Sequence, residues 1–346
     1  MTSSTDASPT RRTFLASAGG VGAALMLAAC GKATTSSSNA PSSSGATPGS
    51  AAATHKKLTA VAFDYPFTFL PVYAAVSGFA KERGAQVGVR LNLTNDEVKL
   101  ESQVSNLSTL IGQKVPAIVS FPLETTTLEK QVKAARAAGT IWVTYGGNLQ
   151  NQDASITFSF LKGGQLLGEA AATWAKQNLG GRGKVAFLTD NVIELGRLRT
   201  QGMVDAFTAN APNMQVVAKQ EAIDPAGALT ATNAILSTHP DVNVILAVTD
   251  DAGTGAYKAL TQRGRAPDDA KTFLGGQDGG KASLQLIQQG SFYRASAALA
   301  VKDIGYAVID VPTAVAAGAA NASRDVPITL VQKGSPELTT LLAQYG

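Results

Sequence analysis

Short apolar runs alternate with helix-period segments from Leu58 almost to the end of this sequence, and that alternation limits the folds open to it. Residues 58–63, 86–93, 117–121 and 140–144 read as strands. Residues 70–83, 95–112 and 123–138 carry apolar side chains at helical spacing, with Gly84 and Gly139 placed as left-handed caps. The rhythm then repeats. Helices are expected over 166–179, 199–210, 225–237, 252–263, 281–289 and 301–317, and strands over 184–188, 216–218, 242–249, 272–275 and 292–297. Strands that alternate with helices predict parallel sheets covered on both faces. A single sheet holding them all would exceed the size at which twisted open sheets usually stop growing. The expected class is α/β, as two doubly wound parallel-sheet lobes.

In such sheets, ligands sit beyond the carboxyl ends of the strands. The polar and aromatic residues of this chain collect there. Asp64, Tyr65, Phe67 and Phe69 follow the first strand, and Thr144, Tyr145 and Gly146 the fourth. Further on come Thr189, Asp190 and Asn191, with Arg197 and Arg199 close behind, then Asp224, then Thr249, Asp250 and Asp251, then Gln277 and Asp278. Aromatic faces can cover the C–H face of a sugar ring, while carboxylates and guanidinium groups can each engage two hydroxyls. A second reading of the same residues is structural. Asp250 or Asp251 suits a helix cap, and Phe67 or Phe69 suits a core.

The first 57 residues follow another logic. Arg11-Arg12 precedes an apolar run of about 16 residues, 14–29, which is short of the roughly 20 that a membrane-spanning helix needs. Small residues and Cys30, the only cysteine, end it. Charged start, apolar middle and small residues before a cut make an export signal. It resembles a bacterial lipoprotein signal with a twin-arginine start. Residues 1–29 are then the signal peptide, Cys30 the lipidation site, and 30–57 a Ser/Ala-rich tether without the apolar surface to fold. A signal cut without lipidation and an uncleaved anchor are the alternatives.

A lone cysteine forms no internal disulfide and no multi-thiolate metal site. His55 and His239 lie far apart, so no metal-ligand spacing exists and no metal or cofactor is expected. The net charge of +4 is spread without a basic stripe, which argues against nucleic acid. Residues 275–282 nearly match a phosphate loop, but Ala282 replaces the Mg²⁺-binding hydroxyl and Asp278 brings a carboxylate into the cradle. Gly253-Thr-Gly255 lacks the third glycine of a dinucleotide fingerprint, and no serine-nucleophile motif occurs.

The stretch 239–256, His-Pro-Asp-Val-Asn-Val-Ile-Leu-Ala-Val-Thr-Asp-Asp-Ala-Gly-Thr-Gly-Ala, resembles the periplasmic sugar-binding proteins of the ribose-binding type. Tyr65-Pro-Phe-Thr-Phe69, Gly196-Arg-Leu-Arg-Thr-Gln-Gly202 and Gly276-Gln-Asp278 are similar to further landmarks of that family, in the same order. The resemblance implies a binding protein, not an enzyme. It would be the monomeric solute receptor of an ABC importer, closing by a three-segment hinge near Ser159, Leu299 and Pro327. One lobe would comprise 58–159 plus 300–326, the other 160–299 plus 327–346. The ligand contacts so implied are Tyr65, Phe67, Phe69, Tyr145, Asp190, Arg197, Thr249, Asp250, Asp278 and Leu299. The partners are a sugar, polyol or modified sugar and a membrane permease, with Cys30 lipid holding the receptor at the outer face of the cytoplasmic membrane. Three places depart from the family pattern. Thr144-Tyr145-Gly146 stands where Asp-Arg is frequent, Thr249 where Asn is usual, and Leu299 where Gln is common. The pocket is therefore expected to be less polar. A ligand sensor for a membrane kinase and an exported enzyme on this fold are the competing functions.

Overall fold

The computed structural model describes residues 57–345. The export signal, Cys30 and nearly all of the tether lie outside the described residues. Among the described residues, no helix is long and apolar enough to cross a membrane.

Two six-stranded sheets form the frame. The first contains β1 (Ala60–Tyr65), β2 (Arg90–Asn95), β3 (Ala117–Ser120), β4 (Ile141–Tyr145), β5 (Ala154–Thr157) and the short β11 (Arg324–Asp325), in the order β11-β5-β4-β3-β1-β2. The second contains β6 (Gly183–Thr189), β7 (Met214–Glu221), β8 (Val244–Ala247), β9 (Phe273–Asp278), β10 (Tyr293–Leu299) and β12 (Ile328–Gln332), in the order β12-β10-β9-β8-β6-β7. Every pairing is parallel except β10 with β12. The chain passes between the sheets three times: after β5, after β10, and between β11 and β12. Helices α1 (Pro71–Val87), α2 (Leu100–Gly112), α3 (Glu129–Ala137) and α9 (Val301–Ala316) belong to the first lobe. The second carries α4 (Phe160–Leu179), α5 (Glu194–Asn210), α6 (Pro225–Thr238), α7 (Asp250–Gln262), α8 (Lys281–Gln289) and α10 (Glu337–Ala343). Burial follows sheet position. Strands β1, β3 and β8 are buried throughout, whereas edge strands β2 and β7 expose most of their residues.

The structure departs from the sequence expectations mainly at element ends. α1 continues past Gly84 to Val87 and is capped by Gly88 at φ 73°. Gly84 lies inside the helix, where its lack of a side chain admits the carbonyl of Val89, 2.5 Å from where a Cβ would stand. α2 starts at Leu100, because the Asn95 side chain accepts the Glu97 amide and holds a turn there instead of capping a helix. α5 starts at Glu194, five residues before the expected point. β5, β11, β12 and α10 were not expected; β5 reads Ala-Ser-Ile-Thr and offers one large apolar residue as a signal.

The contact that fixes the second lobe's geometry is the α4–α5 pair. A Cβ on Gly164 would lie 2.3 Å from the Arg199 carbonyl, one on Gly168 2.5 Å from the Met203 carbonyl, and one on Gly202 2.2 Å from the Leu161 carbonyl. Only residues without side chains let two helix backbones approach so closely. This seam sets the rotation of α5 about its own axis. Gly202→Ala is therefore expected to cost about 1–3 kcal/mol by overpacking, although alanine gains about 1 kcal/mol in helix propensity. Urea unfolding checks this, and an unchanged midpoint would show that the seam tolerates separation.

Candidate functional site

Strand order reverses between β1 and β3 in the first sheet and between β6 and β8 in the second. The loops leaving those strands face each other across one cleft. A narrow cavity lies there, with about 370 Å³ of atom-free space when its open mouth is included. Phe67, Leu70 and Tyr73 reach it from the β1–α1 segment and Phe121 from the end of β3. Phe160, Asp190, Arg199, Val248, Thr249 and Asp278 reach it from the second lobe.

The aromatic side is a packed array. Phe67 stacks on Tyr73 with ring centroids 5.4 Å apart and meets Phe121 edge-on at 5.6 Å. Phe121 in turn meets Phe160 at 6.2 Å. On the polar side, Arg199 donates to an Asp278 carboxylate oxygen at 2.5 Å and to the Val248 carbonyl at 3.2 Å, while its guanidinium lies 4.4 Å from the Phe160 ring centre. The two side chains of the pair expose only 8% and 5% of their surface. Arg199 Nε–H has no acceptor among the described residues, which is costly for a buried donor unless a ligand completes it. Asp278 ends β9 at φ 106°, a backbone region that non-glycine residues seldom occupy and that clusters at functional sites. Burial pushes the Asp278 carboxyl up from its ordinary value, and Arg199 pulls it back.

Asp190 is held by the start of α5: its carboxylate accepts the Val192 amide at 3.0 Å and packs on Gly196, where a Cβ would stand 2.1 Å from Oδ2. Burial raises its carboxyl too. The Thr249 hydroxyl is committed to the backbone, donating to the Ile223 carbonyl and accepting the Ala252 amide as the cap of α7. Asp250 lies behind the wall. It accepts from the Tyr293 hydroxyl at 2.7 Å, from the Ser296 hydroxyl at 2.7 Å and from the Gly280 amide at 2.8 Å. The amide that a phosphate would need in the Gly275–Ala282 loop is thus taken by a carboxylate.

The sequence-derived site residues fall into two groups. Phe67, Asp190, Thr249 and Asp278 line the cavity. Tyr65 lies beneath it, bonded to Ser77 and stacked on Phe63. Tyr145 is fully buried behind Phe121 and Phe158, its hydroxyl without a partner among the described residues. Phe69 points outward, 52% exposed, against the edge of Phe67. Leu299 pairs with Ile328 at a crossover and packs in the first lobe's core. Arg197 is replaced at the cavity by Arg199. The reason is helical phase: residues two apart point about 200° away from each other, and the glycine seam turns Arg199 inward. Arg197 instead grips Glu124 of the opposite lobe at 2.8 and 3.1 Å. Beside it, Glu194 accepts the Thr125 amide and hydroxyl at 2.9 and 2.7 Å. Tyr73, Phe121 and Phe160 were not singled out in the sequence; position after a strand was a usable signal for Phe121, but none marked Tyr73, which sits within a helix.

Comparison with known proteins agrees with this geometry. A model described as a periplasmic binding protein domain matches residues 62–320. The chain belongs to that family. It is 29% identical to the ribose import binding protein RbsB of Bacillus subtilis (strain 168) over 226 residues, 64% of this chain and 69% of that one. It is 26% identical to a xylitol-binding protein of Mycolicibacterium smegmatis, over 58% of this chain and 56% of that one. Among solved structures, an ABC transporter solute binding protein from Mycobacterium smegmatis with bound glycerol superposes with a TM-score of 0.71 at 23% identity, covering 82% of this chain and 97% of that one. One from Bacillus halodurans with bound myo-inositol gives 0.73 at 18% identity, covering 84% and 100%. At these identities the structural likeness shows the family's two-lobed fold.

Two carboxyls at the start of α7, behind the cavity wall, give the fold a pH signature. Burial pushes Asp250 up to about 7, and burial followed by the charge of Asp278 pushes Asp251 up to about 7. The folded chain therefore holds protons that the unfolded chain, with Asp near 3.8, releases. The resulting stabilisation is complete below about pH 4 and is lost as pH rises through 7. The melting temperature is expected to be higher at pH 6 than at pH 8, with the difference reduced in Asp251→Asn. Scanning calorimetry at both pH values decides, and a higher melting temperature at pH 8 would contradict this assignment.

Proposed function

We propose that this chain is the extracytoplasmic receptor of an ABC importer, taking up a sugar, polyol or related small solute between its lobes. The observation that carries this reading is the cavity at the two facing switch points, where aromatic rings oppose a buried Arg199–Asp278 pair with an unpaired Nε–H. Names of related proteins, ribose import binding protein and xylitol-binding protein among them, support the same class. None of the residues lining the cavity is His, Cys, Ser or Lys. The Thr249 hydroxyl and the two carboxylates are engaged in backbone and ion-pair contacts, which favours recognition over turnover.

Binding would work through closure. A solute that contacts both lobes stabilises the closed arrangement by its differential contacts. Arg197–Glu124 and Glu194–Thr125 cross from lobe to lobe without entering the cavity, so they add to closure whatever the solute. The closed receptor would then dock on a membrane permease. Lipid on Cys30 and the tether of residues 30–57 would keep it at the outer face of the cytoplasmic membrane, with lobes divided at the three crossovers.

A thermal-shift screen of sugars and polyols tests the reading, since a solute at 100 Kd adds about 2.7 kcal/mol of stability. Asp278→Asn is expected to abolish the shift; because it also leaves Arg199 buried without its counter-charge, the comparison is made below the variant's own melting temperature, where circular dichroism verifies the fold. A panel with no stabilising solute would count against the receptor function. The latch makes a separate prediction. Because exposed ion pairs contribute roughly 0–1 kcal/mol, Glu124→Gln is expected to weaken solute binding by about two- to fivefold. Raising salt to 1 M, where the Debye length is about 3 Å, is expected to shrink that difference. Calorimetric titration at both salts reads it.

A further inference from the structure

The cavity's two walls differ in chemistry. The first lobe contributes Phe67, Leu70, Tyr73 and Phe121, whose only polar side-chain atom is the Tyr73 hydroxyl. Every charged lining residue, Asp190, Arg199 and Asp278, comes from the second lobe. Tyr145 and Gly146 end and follow β4, so the first lobe's other strand end next to the cavity brings no charged group either. Asp64, three residues before Phe67, is fully buried and turned away onto Thr94 and Ser120, and Glu124, three residues after Phe121, is paired with Arg197 outside the cavity.

Building on the receptor reading above, we infer that the solute itself has two faces. One edge bears hydroxyls and is read by Arg199, Asp190 and Asp278. The opposite face carries carbon only, such as a deoxy or methyl position, and lies against Phe67 and Phe121. A hydroxyl turned toward Phe67 and Phe121 would leave water and meet only ring carbon there. A methyl in the same place removes its own apolar surface and that of the rings from water. The charge balance of the cavity, one guanidinium against two carboxylates, also disfavours an anionic solute. The class is thus a neutral deoxy or methyl-bearing sugar or polyol. The second lobe holds the polar contacts and engages the solute first, and the first lobe closes on it as an apolar lid.

Calorimetric titration of the purified full chain with matched pairs tests this. Suitable pairs differ by one hydroxyl: D-fucose with D-galactose, L-rhamnose with L-mannose, 2-deoxy-D-ribose with D-ribose. In a pair that binds, the deoxy member is expected to bind roughly 10–100-fold tighter, the discrimination typical of an apolar pocket for a single group. Phe121→Asn is expected to narrow that ratio, and Phe67→Asn serves if the first variant does not fold. Arg199→Lys is expected to weaken both members alike. Equal or tighter binding of the hydroxylated member in every binding pair overturns the two-faced solute and leaves the receptor function standing. Binding of no member of any pair, with no stabilisation by other sugars or polyols, overturns both.

Discussion

The Arg199–Asp278 pair is the interaction on which the cleft of this protein depends. Two charges almost free of solvent are tolerable only when each satisfies the other and the remaining donors find partners. Arg199 meets part of that demand with the Val248 carbonyl, the Phe160 ring and Asp278, and its Nε–H has no acceptor among the described residues. The pair also ties α5 to the end of β9. That attachment accompanies the unusual backbone of Asp278, whose φ of 106° costs about 1–3 kcal/mol and needs surroundings that over-determine it.

Those surroundings are built in layers. Glycines at 164, 168 and 202 let α4 and α5 touch backbone to backbone and thereby aim Arg199. Asp250, held by Tyr293, Ser296 and the Gly280 amide, braces the loop that follows Asp278. The cavity wall is therefore thin in the number of residues a solute meets and thick in the residues that hold them. Across the cleft the support is of another kind: stacked and edge-on rings of Phe67, Tyr73 and Phe121, held by packing.

Much of this was legible in the sequence where the physics is local. The alternation of apolar runs with helical segments predicted two doubly wound lobes because strand and helix periods are properties of neighbouring residues. Phe67, Asp190, Thr249 and Asp278 were found because cavity residues of parallel sheets follow strand ends, and strand ends could be located. Thr249 shows the limit of that rule: it lines the cavity, yet its hydroxyl caps α7, a use that its position alone could not separate from ligand contact. Tyr65, Tyr145 and Leu299 have the same kind of address and are packed behind the wall, since depth beneath a strand end depends on which neighbouring rings cover it.

The sequence by itself determined the fold class, the position of the cleft at the strand ends, and its aromatic and acidic character. Tertiary structure decided which of two arginines enters that cleft. Arg197 and Arg199 stand two residues apart on one helix and face nearly opposite directions. Nothing in their spacing chooses between them. The choice is made by how α5 is turned, and that follows from three glycines, two of them on another helix, that leave α5 no room to rotate. Arg199 consequently meets Asp278 inside the cleft, and Arg197 meets Glu124 across it.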